Sequence, residues 1–340
     1  MSVTIRDVAL KAGVSTSTVS KVLNHWTTIS PETSSHVLDV IKELDYTPNT
    51  RAVSFAKGAT NTIIFLTDLS REESYANPHM FDIMCGSENS LFSQGYRMIV
   101  DSIPADMRPD EYLRSIISSG IADGMIIHGS AFHASMEKVL METSFPHILI
   151  GFPGNKSRLS WVDADNSLAG QIAAKHLLDC GYTKIAFIGG KKSDTISVKR
   201  LNGFEGWMYD FGYKIPDAYV KYTSSSLADA SVAANELLSL DTPPEAVICE
   251  SNMIAIGLIK ALEKDKIDVP KDLAFLTFDI YPYTKIMEPE PTVVNIDVYD
   301  LGIQAAISLV RKIANPSLLV QTYTTLPVIR QGRSTRHVMQ

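Results

Sequence analysis

The sequence predicts an N-terminal all-α helix-turn-helix headpiece followed by a two-lobed α/β core with parallel sheets. Three observations carry this. Apolar residues recur at helical spacing over Thr4 to Asn24 and are broken by a glycine. From Thr62 onward strand-like runs alternate with helical stretches, as in a parallel sheet covered on both faces. The same alternation restarts after Asp165, and 340 residues exceed the roughly 100 to 200 of one ordinary domain.

In the first helix Ile5, Val8, Ala9 and Ala12 share a face, and Gly13 supplies the left-handed backbone that ends it. Ser15 is an N-cap candidate for a second helix with Val19, Val22 and Leu23 on its apolar side. Its other sides carry Thr16, Ser17, Thr18, Ser20 and Lys21. Small hydroxyls plus one cation on a short helix suit the major groove, where Ser and Thr bond base edges and Lys reaches guanine. A plain αα-hairpin with a solvated polar face has the same spacing. Ser30 and Pro31 open a third helix with Val37, Val40, Ile41 and Leu44 as its buried stripe. Pro48 closes this unit, and NTRAVSFAK (Asn49 to Lys57) leads through Gly58 to Asn61 into the core.

In the core, TIIFL (Thr62 to Leu66) is a buried-strand run. A helix from about Met80 to Gln94, RMIVDS, a helix over Pro109 to Ser119, GMIIH, a further helix and HILIG follow it. The second series runs through a helix over Ser167 to Leu178, KIAFIGG, helices around Arg200 to Phe211 and Ala228 to Leu240, AVICE, a helix over Ile254 to Lys264, and LAFLTF. Thr292 to Asn295 and a helix over Tyr299 to Ile313 come late enough to return to the first lobe. The expected division is a headpiece over 1–47, a hinge helix and linker over 48–61, and a core over 62–340. Within the core the N-lobe is placed at about 62–178 plus 294–321, and the C-lobe at about 179–293 plus 322–340.

Composition narrows the classes. With 45% hydrophobic and 20% charged residues the chain is ordinary and globular, and no apolar run approaches the ~20 residues of a membrane helix. The N-terminus lacks the basic and apolar regions of a secretory signal. Cys85, Cys180 and Cys249 are odd in number and scattered, which fits core thiols in a reducing cytoplasm better than a disulfide frame. A net charge of −7 argues against a nucleic-acid coat, but positive charge is local: Arg6, Lys11 and Lys21 outnumber Asp7 before Glu32, and Arg51 and Lys57 stand without acids. Such a pattern fits a small DNA-binding surface.

Enzyme constellations are missing. GGKKS (Gly189 to Ser193) fails as a phosphate loop, because Ile185 takes the first glycine position and Lys192 the hydroxyl slot. Neither G-x-G-x-x-G nor G-x-S-x-G occurs. His128 and His133 read as a solvated loop pair without further metal ligands. No cofactor and no metal are predicted, and the chain is read as not an enzyme.

The run IRDVALKAGVSTSTVSKVLN, the third helix ending in LDYTPN, and the later AFIGG, RLNGF and FD segments together resemble the LacI/GalR family of bacterial transcription regulators. The resemblance spans nearly the whole chain. It implies a DNA-binding headpiece, a hinge helix and a periplasmic-binding-protein-like core, acting as a homodimer on double-stranded operator DNA. By position, Thr16 and Ser17 stand where the family reads bases, and Lys21 where it usually has Arg, whose planar fork Lys lacks. Thr4, Thr18, Ser20 and Asn24 are candidates for phosphate contacts that set register, and Asn49 is a further DNA-binding candidate. Phe55 stands where a Leu usually wedges into the minor groove, a task open to any apolar body of suitable thickness.

In such a core the effector lies beyond the carboxyl ends of the strands, between the lobes. His79 and Met80 replace the two aromatics of the family's Asn-Pro-aromatic-aromatic pattern. Arg200 matches the family's pocket arginine, whose fork binds hydroxyl pairs, carboxylates or phosphates. Asp279 matches an aspartate that accepts bonds from ligand hydroxyls, and Asp165 is a further candidate of that kind. Ser251 replaces a frequent Asn and Ser225 a frequent aromatic, so the pocket is either roomier, fitting a disaccharide or glycoside, or has lost its small-molecule response.

The reading is a cytoplasmic dimeric repressor switched by a small-molecule effector, a sugar or glycoside. The alternatives are activation by a co-repressor metabolite or phosphoprotein partner, and a sugar-binding module without DNA function. No heptad tail follows TLPVIRQ up to Gln340, so a dimer and not a tetramer is expected.

Overall fold

A computed structural model describes residues 3–23, 26, 28–46, 59–70, 79–224, 226–280, 283–318 and 322–336. The chain forms two compact units, Met1–Asn61 and Thr62–Gln340.

In the first unit, α1 (Ile5–Lys11), α2 (Thr16–Leu23) and α3 (Pro31–Glu43) close around Val8, Ala9, Ala12, Val19, Val22, Val37 and Val40. Each helix begins where its sequence supplies an acceptor for orphan N–H groups. The Thr4 backbone N–H bonds the Asp7 carboxylate, Ser15 Oγ accepts from Thr18 N, and Ser30 Oγ accepts from Thr33 N. Gly13 sits at φ 63°, which lets α1 stop and α2 start within a tight turn.

The second unit holds two six-stranded sheets among the described residues. Along the chain come β1 (Thr62–Leu66), α4 (His79–Ser93), β2 (Arg97–Asp101), α5 (Pro109–Ser119), β3 (Gly124–His128), α6 (Ala134–Thr143), β4 (His147–Ile150) and β5 (Trp161–Ala164). There follow α7 (Asn166–Asp179), β6 (Ile185–Gly189), α8 (Thr195–Asp210), β7 (Val220–Tyr222), α9 (Leu227–Leu238), β8 (Ala246–Cys249), α10 (Asn252–Asp265) and β9 (Ala274–Phe278). The last elements are β10 (Thr292–Asn295), α11 (Val298–Ala314), β11 (Thr322–Thr325) and β12 (Val328–Arg330).

The first sheet runs β11-β5-β4-β3-β1-β2, all parallel, and the second runs β12-β10-β9-β8-β6-β7, with only β12 antiparallel. Strand alternation sends Ile63 and Phe65 to the face covered by α4 and α11, and Ile64 and Leu66 to the face covered by α5 and α6. In the second sheet Ile185 and Phe187 meet α7 and α8, while Ala186 and Ile188 meet α9 and α10. The helix pairs dock closely through glycine. A Cβ at Gly203 of α8 would lie 1.9 Å from the Ser167 carbonyl of α7, and one at Gly86 of α4 would lie 2.1 Å from the Tyr299 carbonyl of α11.

The chain passes between sheets after β5, β10 and β11, each time from the carboxyl end of a parallel strand. The carboxyl ends of both sheets are thereby turned toward the crossovers. These crossings correct the expected lobe boundaries. Asn166–Asp179 packs in the second lobe, Val294 and Asn295 stay in the second sheet, and Thr322–Thr325 joins the first sheet beside β5. Strand pairing across long sequence separations decides this, and periodicity carries no information about it. The short strands β5, β7 and β11 had no clear apolar run. Helix α8 also starts earlier than expected, with Asp194 capping Ile196 N, so Arg200 is a mid-helix residue.

Candidate effector cleft and DNA-reading surface

At the carboxyl end of β9 the chain turns through Asp279, which adopts φ 65°, a left-handed geometry that Asp tolerates better than most residues. Asn252, at the start of α10, fixes this turn by donating from Nδ2 to the carbonyls of Phe278 and Asp279, 3.0 Å each. The Asp279 N–H bonds the Val294 carbonyl at 3.0 Å. The carboxylate is therefore held by its backbone. Its Oδ2 lies 3.4 Å from His79 Nε2 and 3.9 Å from Arg200 Nη2. Its Oδ1 is buried and makes no hydrogen bond among the described residues. A buried acceptor without a donor costs free energy that a donor arriving from outside recovers.

Arg200 is only 5% exposed. Its Nε donates to Asn166 Oδ1 at 3.0 Å and its Nη1 to the Glu250 carbonyl at 2.8 Å. The guanidinium carbon lies 4.0 Å from the Phe278 ring centroid. Three elements of the second lobe, α7, β8 and β9, thus fix the fork carried by α8.

His79 is the first residue of α4, so it brings the first lobe against an aspartate of the second. A second bridge lies alongside, where Lys199 Nζ sits 3.2 Å from Asp163 Oδ2 at the end of β5 and 3.9 Å from the Phe152 ring centroid. Burial pushes the Asp163 carboxyl upward, opposed by the Lys199 charge.

Glu250 completes the cluster and was missing from the sequence-derived set. Its carboxylate accepts from the Ser197 hydroxyl and the Gly190 N–H, and burial raises its pKa against the pull of Arg200. An acid closing the buried run AVICE was the one available signal.

The remaining candidates have other duties. Asp165 caps α7 by accepting from Leu168 N, and its neighbour Asn166 is the residue that reaches the arginine. Ser251 Oγ caps α10 by accepting from Ile254 N, which leaves its proton available. Met80 is buried beneath the Thr67 hydroxyl. Ser225 lies outside the described residues. His128 ends β3 instead of lying in an exposed loop; burial lowers its pKa to about 4, and its Nδ1 accepts from Ser130 N. Among the described residues no cluster could hold a metal ion, and no helix is long and apolar enough to cross a membrane. Cys180 and Cys249 are buried and Cys85 is half-buried, all as free thiols.

In the headpiece, Thr16, Ser17 and Ser20 are exposed on α2, and Lys21 is half-buried one turn beyond Ser17. Thr18 shares a hydrogen bond with the Ser15 hydroxyl at 2.9 Å. The Thr4 hydroxyl donates to Asp7 at 2.7 Å, a bond that lowers the Asp7 pKa and engages the proton a phosphate would need. Asn24, Asn49 and Phe55 lie outside the described residues.

A headpiece with a hydroxyl-rich second helix, joined to a core of two parallel-sheet lobes meeting over charged side chains, is the architecture of a ligand-responsive DNA-binding regulator. Residues 4–49 match the family described as "Bacterial regulatory proteins, lacI family", and residues 174–335 match "Periplasmic binding protein-like domain". The chain is 31% identical to the HTH-type transcriptional regulator RegA of Clostridium saccharobutylicum, over 92% of each chain. It belongs to the LacI family. It is 28% identical to the ribose operon repressor of Escherichia coli (strain K12), covering 97% of this chain and 99% of that one. A solved structure of the transcriptional regulator CelR in complex with cellobiose aligns over 98% of this chain and 99% of that one, with TM-score 0.73 and 25% identity. The protein is accordingly a DNA-binding transcriptional regulator and not an enzyme.

Proposed function

We propose that the protein is a cytoplasmic, dimeric repressor whose operator affinity is switched by a sugar or glycoside held between the lobes. The observation that carries this reading is the buried Asp279 carboxylate. One of its oxygens faces Arg200 and His79, and the other has no hydrogen-bond donor among the described residues. A vicinal diol fits, donating to Asp279 Oδ1 while accepting from the Arg200 fork. The CelR–cellobiose structure supports a carbohydrate, as does the Ser251 hydroxyl, which keeps a proton to donate.

Because His79 comes from the first lobe and Asp279 and Arg200 from the second, a ligand seated there contacts both. Its influence on lobe arrangement equals its differential affinity for the two states. Dimerisation is supported by apolar surface left on the first lobe, where Phe81 and Phe92 of α4 and Ile99 of edge strand β2 are exposed. At the operator, Thr16, Ser17 and Lys21 read bases, Thr18, Ser20 and Asn24 set register on phosphates, Asn49 adds a further DNA contact, and Phe55 wedges the central step.

A thermal-shift panel of sugars, glycosides, sugar phosphates and nucleobases tests the ligand class, since binding to the native state raises Tm by mass action. Stabilisation by a carbohydrate, abolished in Asp279→Ala, is expected. Stabilisation by nucleobases alone would overturn it. Operator titrations with and without the hit give the sign of the switch, and tighter binding with ligand would mean co-repression.

A further inference from the structure

We infer that Trp26 is part of the DNA-reading surface, where its indole supports the Lys21 side chain and packs on the sugar–phosphate backbone beside the groove. The inference rests on the DNA-facing assignment of α2 and adds a residue that this assignment did not contain.

Trp26 follows the end of the second helix. Its N–H bonds the Lys21 carbonyl at 3.0 Å, and its own carbonyl accepts from Ile29 N at 3.4 Å. Ile29 in turn packs against the headpiece core. The backbone of Trp26 is thus pinned on both sides, yet the residue remains 56% exposed and takes no part in the cluster around Val8, Val19 and Val37. An indole carried on a pinned backbone and left in water presents an apolar face with one N–H donor at its edge.

Lys21 identifies the side on which this platform lies. Its Nζ stands 5.8 Å from the indole centroid, within the range of cation–π attraction. The ring therefore lies beside the Lys21 ammonium, and Lys21 stands one turn beyond the exposed Ser17 on α2. A lysine stem is rich in rotamers; a ring beneath it narrows the directions the ammonium samples and compensates for the missing planar fork of an arginine. A flat apolar face at the helix end meets the deoxyribose edge of the groove, and the indole N–H meets a phosphate oxygen. In this arrangement Trp26 acts on the bases only through Lys21 and is a positioning residue, while its backbone contact is its own.

The test uses the full-length chain and a duplex selected by it from random sequence. Trp26→Ala should weaken binding to the selected duplex by roughly tenfold at fixed salt, and Trp26→Phe by less than about threefold, because a phenyl ring retains the platform. Trp161 and Trp207 lie in the other unit, so the difference in emission between wild type and Trp26→Phe reports Trp26 alone. That difference signal should become protected from acrylamide when the duplex is added. In Trp26→Ala, single base-pair substitutions at the position read by Lys21 should lose discrimination. The inference is overturned if Trp26→Ala binds within twofold of wild type, if the two variants lose equally, if the duplex gives no protection, or if Trp26→Ala unfolds the headpiece. Lys21→Ala separates the two ideas: unchanged base preference there removes the base-reading role of Lys21, while protection of the indole tests Trp26 independently.

Discussion

Arg200→Lys is the most discriminating substitution in the cleft, because it keeps the charge and removes the fork. In the native site the guanidinium makes two charge-assisted hydrogen bonds, to Asn166 Oδ1 at 3.0 Å and to the Glu250 carbonyl at 2.8 Å, and stacks on Phe278. Each such bond contributes about 1.5–3 kcal/mol. A lysine ammonium on a shorter stem reaches one acceptor and presents no planar face, so roughly one bond, about 2 kcal/mol, is lost. Arg200 is 5% exposed, so solvent does not replace the missing partner. At about 2–4 °C per kcal/mol for a domain of this size class, Tm should fall by roughly 4–8 °C. If the fork also holds ligand hydroxyls, effector affinity falls by a further factor of about 30, the equivalent of ~2 kcal/mol. The assay pairs thermal unfolding with and without the carbohydrate found by screening with an operator titration on ligand-free protein, where affinity should stay within about threefold of wild type. An Arg200→Lys protein with wild-type Tm and wild-type ligand response would refute both the packing argument and the assignment of Arg200 to the cleft.

Gly203→Ala should destabilise the second lobe by about 3 kcal/mol or more, since the new Cβ would lie 1.9 Å from the Ser167 carbonyl and neither backbone has room to yield; a urea midpoint equal to wild type would contradict the close α7–α8 docking. His128 and His147 are both held neutral by burial, with pKa values lowered to about 4 from 6.5. The unfolded chain therefore binds more protons than the folded one between those values, so stability is full above about pH 6.5 and is lost as pH falls toward 4, by about 3 kcal/mol per histidine at ~1.4 kcal/mol per pH unit. Urea unfolding at pH 7 and pH 5 should show this slope, and His128→Asn should remove one histidine's share; an unchanged slope in that variant would count against its burial as the cause.

Much of the architecture was legible in the residues because local physics specifies it. Gly13, Ser15 and the Ser30-Pro31 pair mark helix ends through capping and backbone preference, and the structure uses each of them. Runs such as TIIFL and AFLTF announce strands buried on both faces. The alternation of strands with helices then limits the sheet to the parallel class. In the cleft, Arg200 and Asp279 were recognisable from RLNGF and FD, and the structure brings them to 3.9 Å. The proposed DNA-side residues Thr16, Ser17 and Lys21 were read from one short helix, on which the structure leaves Thr16 and Ser17 exposed.

Other features depended on contacts between residues far apart in sequence. Glu250, Asn166 and the Lys199–Asp163 pair joined the cleft only once β5, β8, α7 and α8 had been assembled. Asp165 is a further candidate of the same kind as Asp279 in the sequence, yet one carboxylate caps a helix while the other is buried with an oxygen left over. Spacing alone cannot separate them, because the difference lies in which N–H groups stand nearby. The exchange of Thr292–Asn295 and Thr322–Thr325 between lobes is of the same kind. The sequence determined by itself that there is a helix-turn-helix headpiece and a two-lobed parallel α/β core, since capping, turn chemistry and hydrophobic period act over a few residues. Only the tertiary structure decided which strand closes which sheet and which polar groups meet in the cleft, because those choices are settled by hydrogen bonds and burial between segments that lie well outside one another's local stretch of sequence.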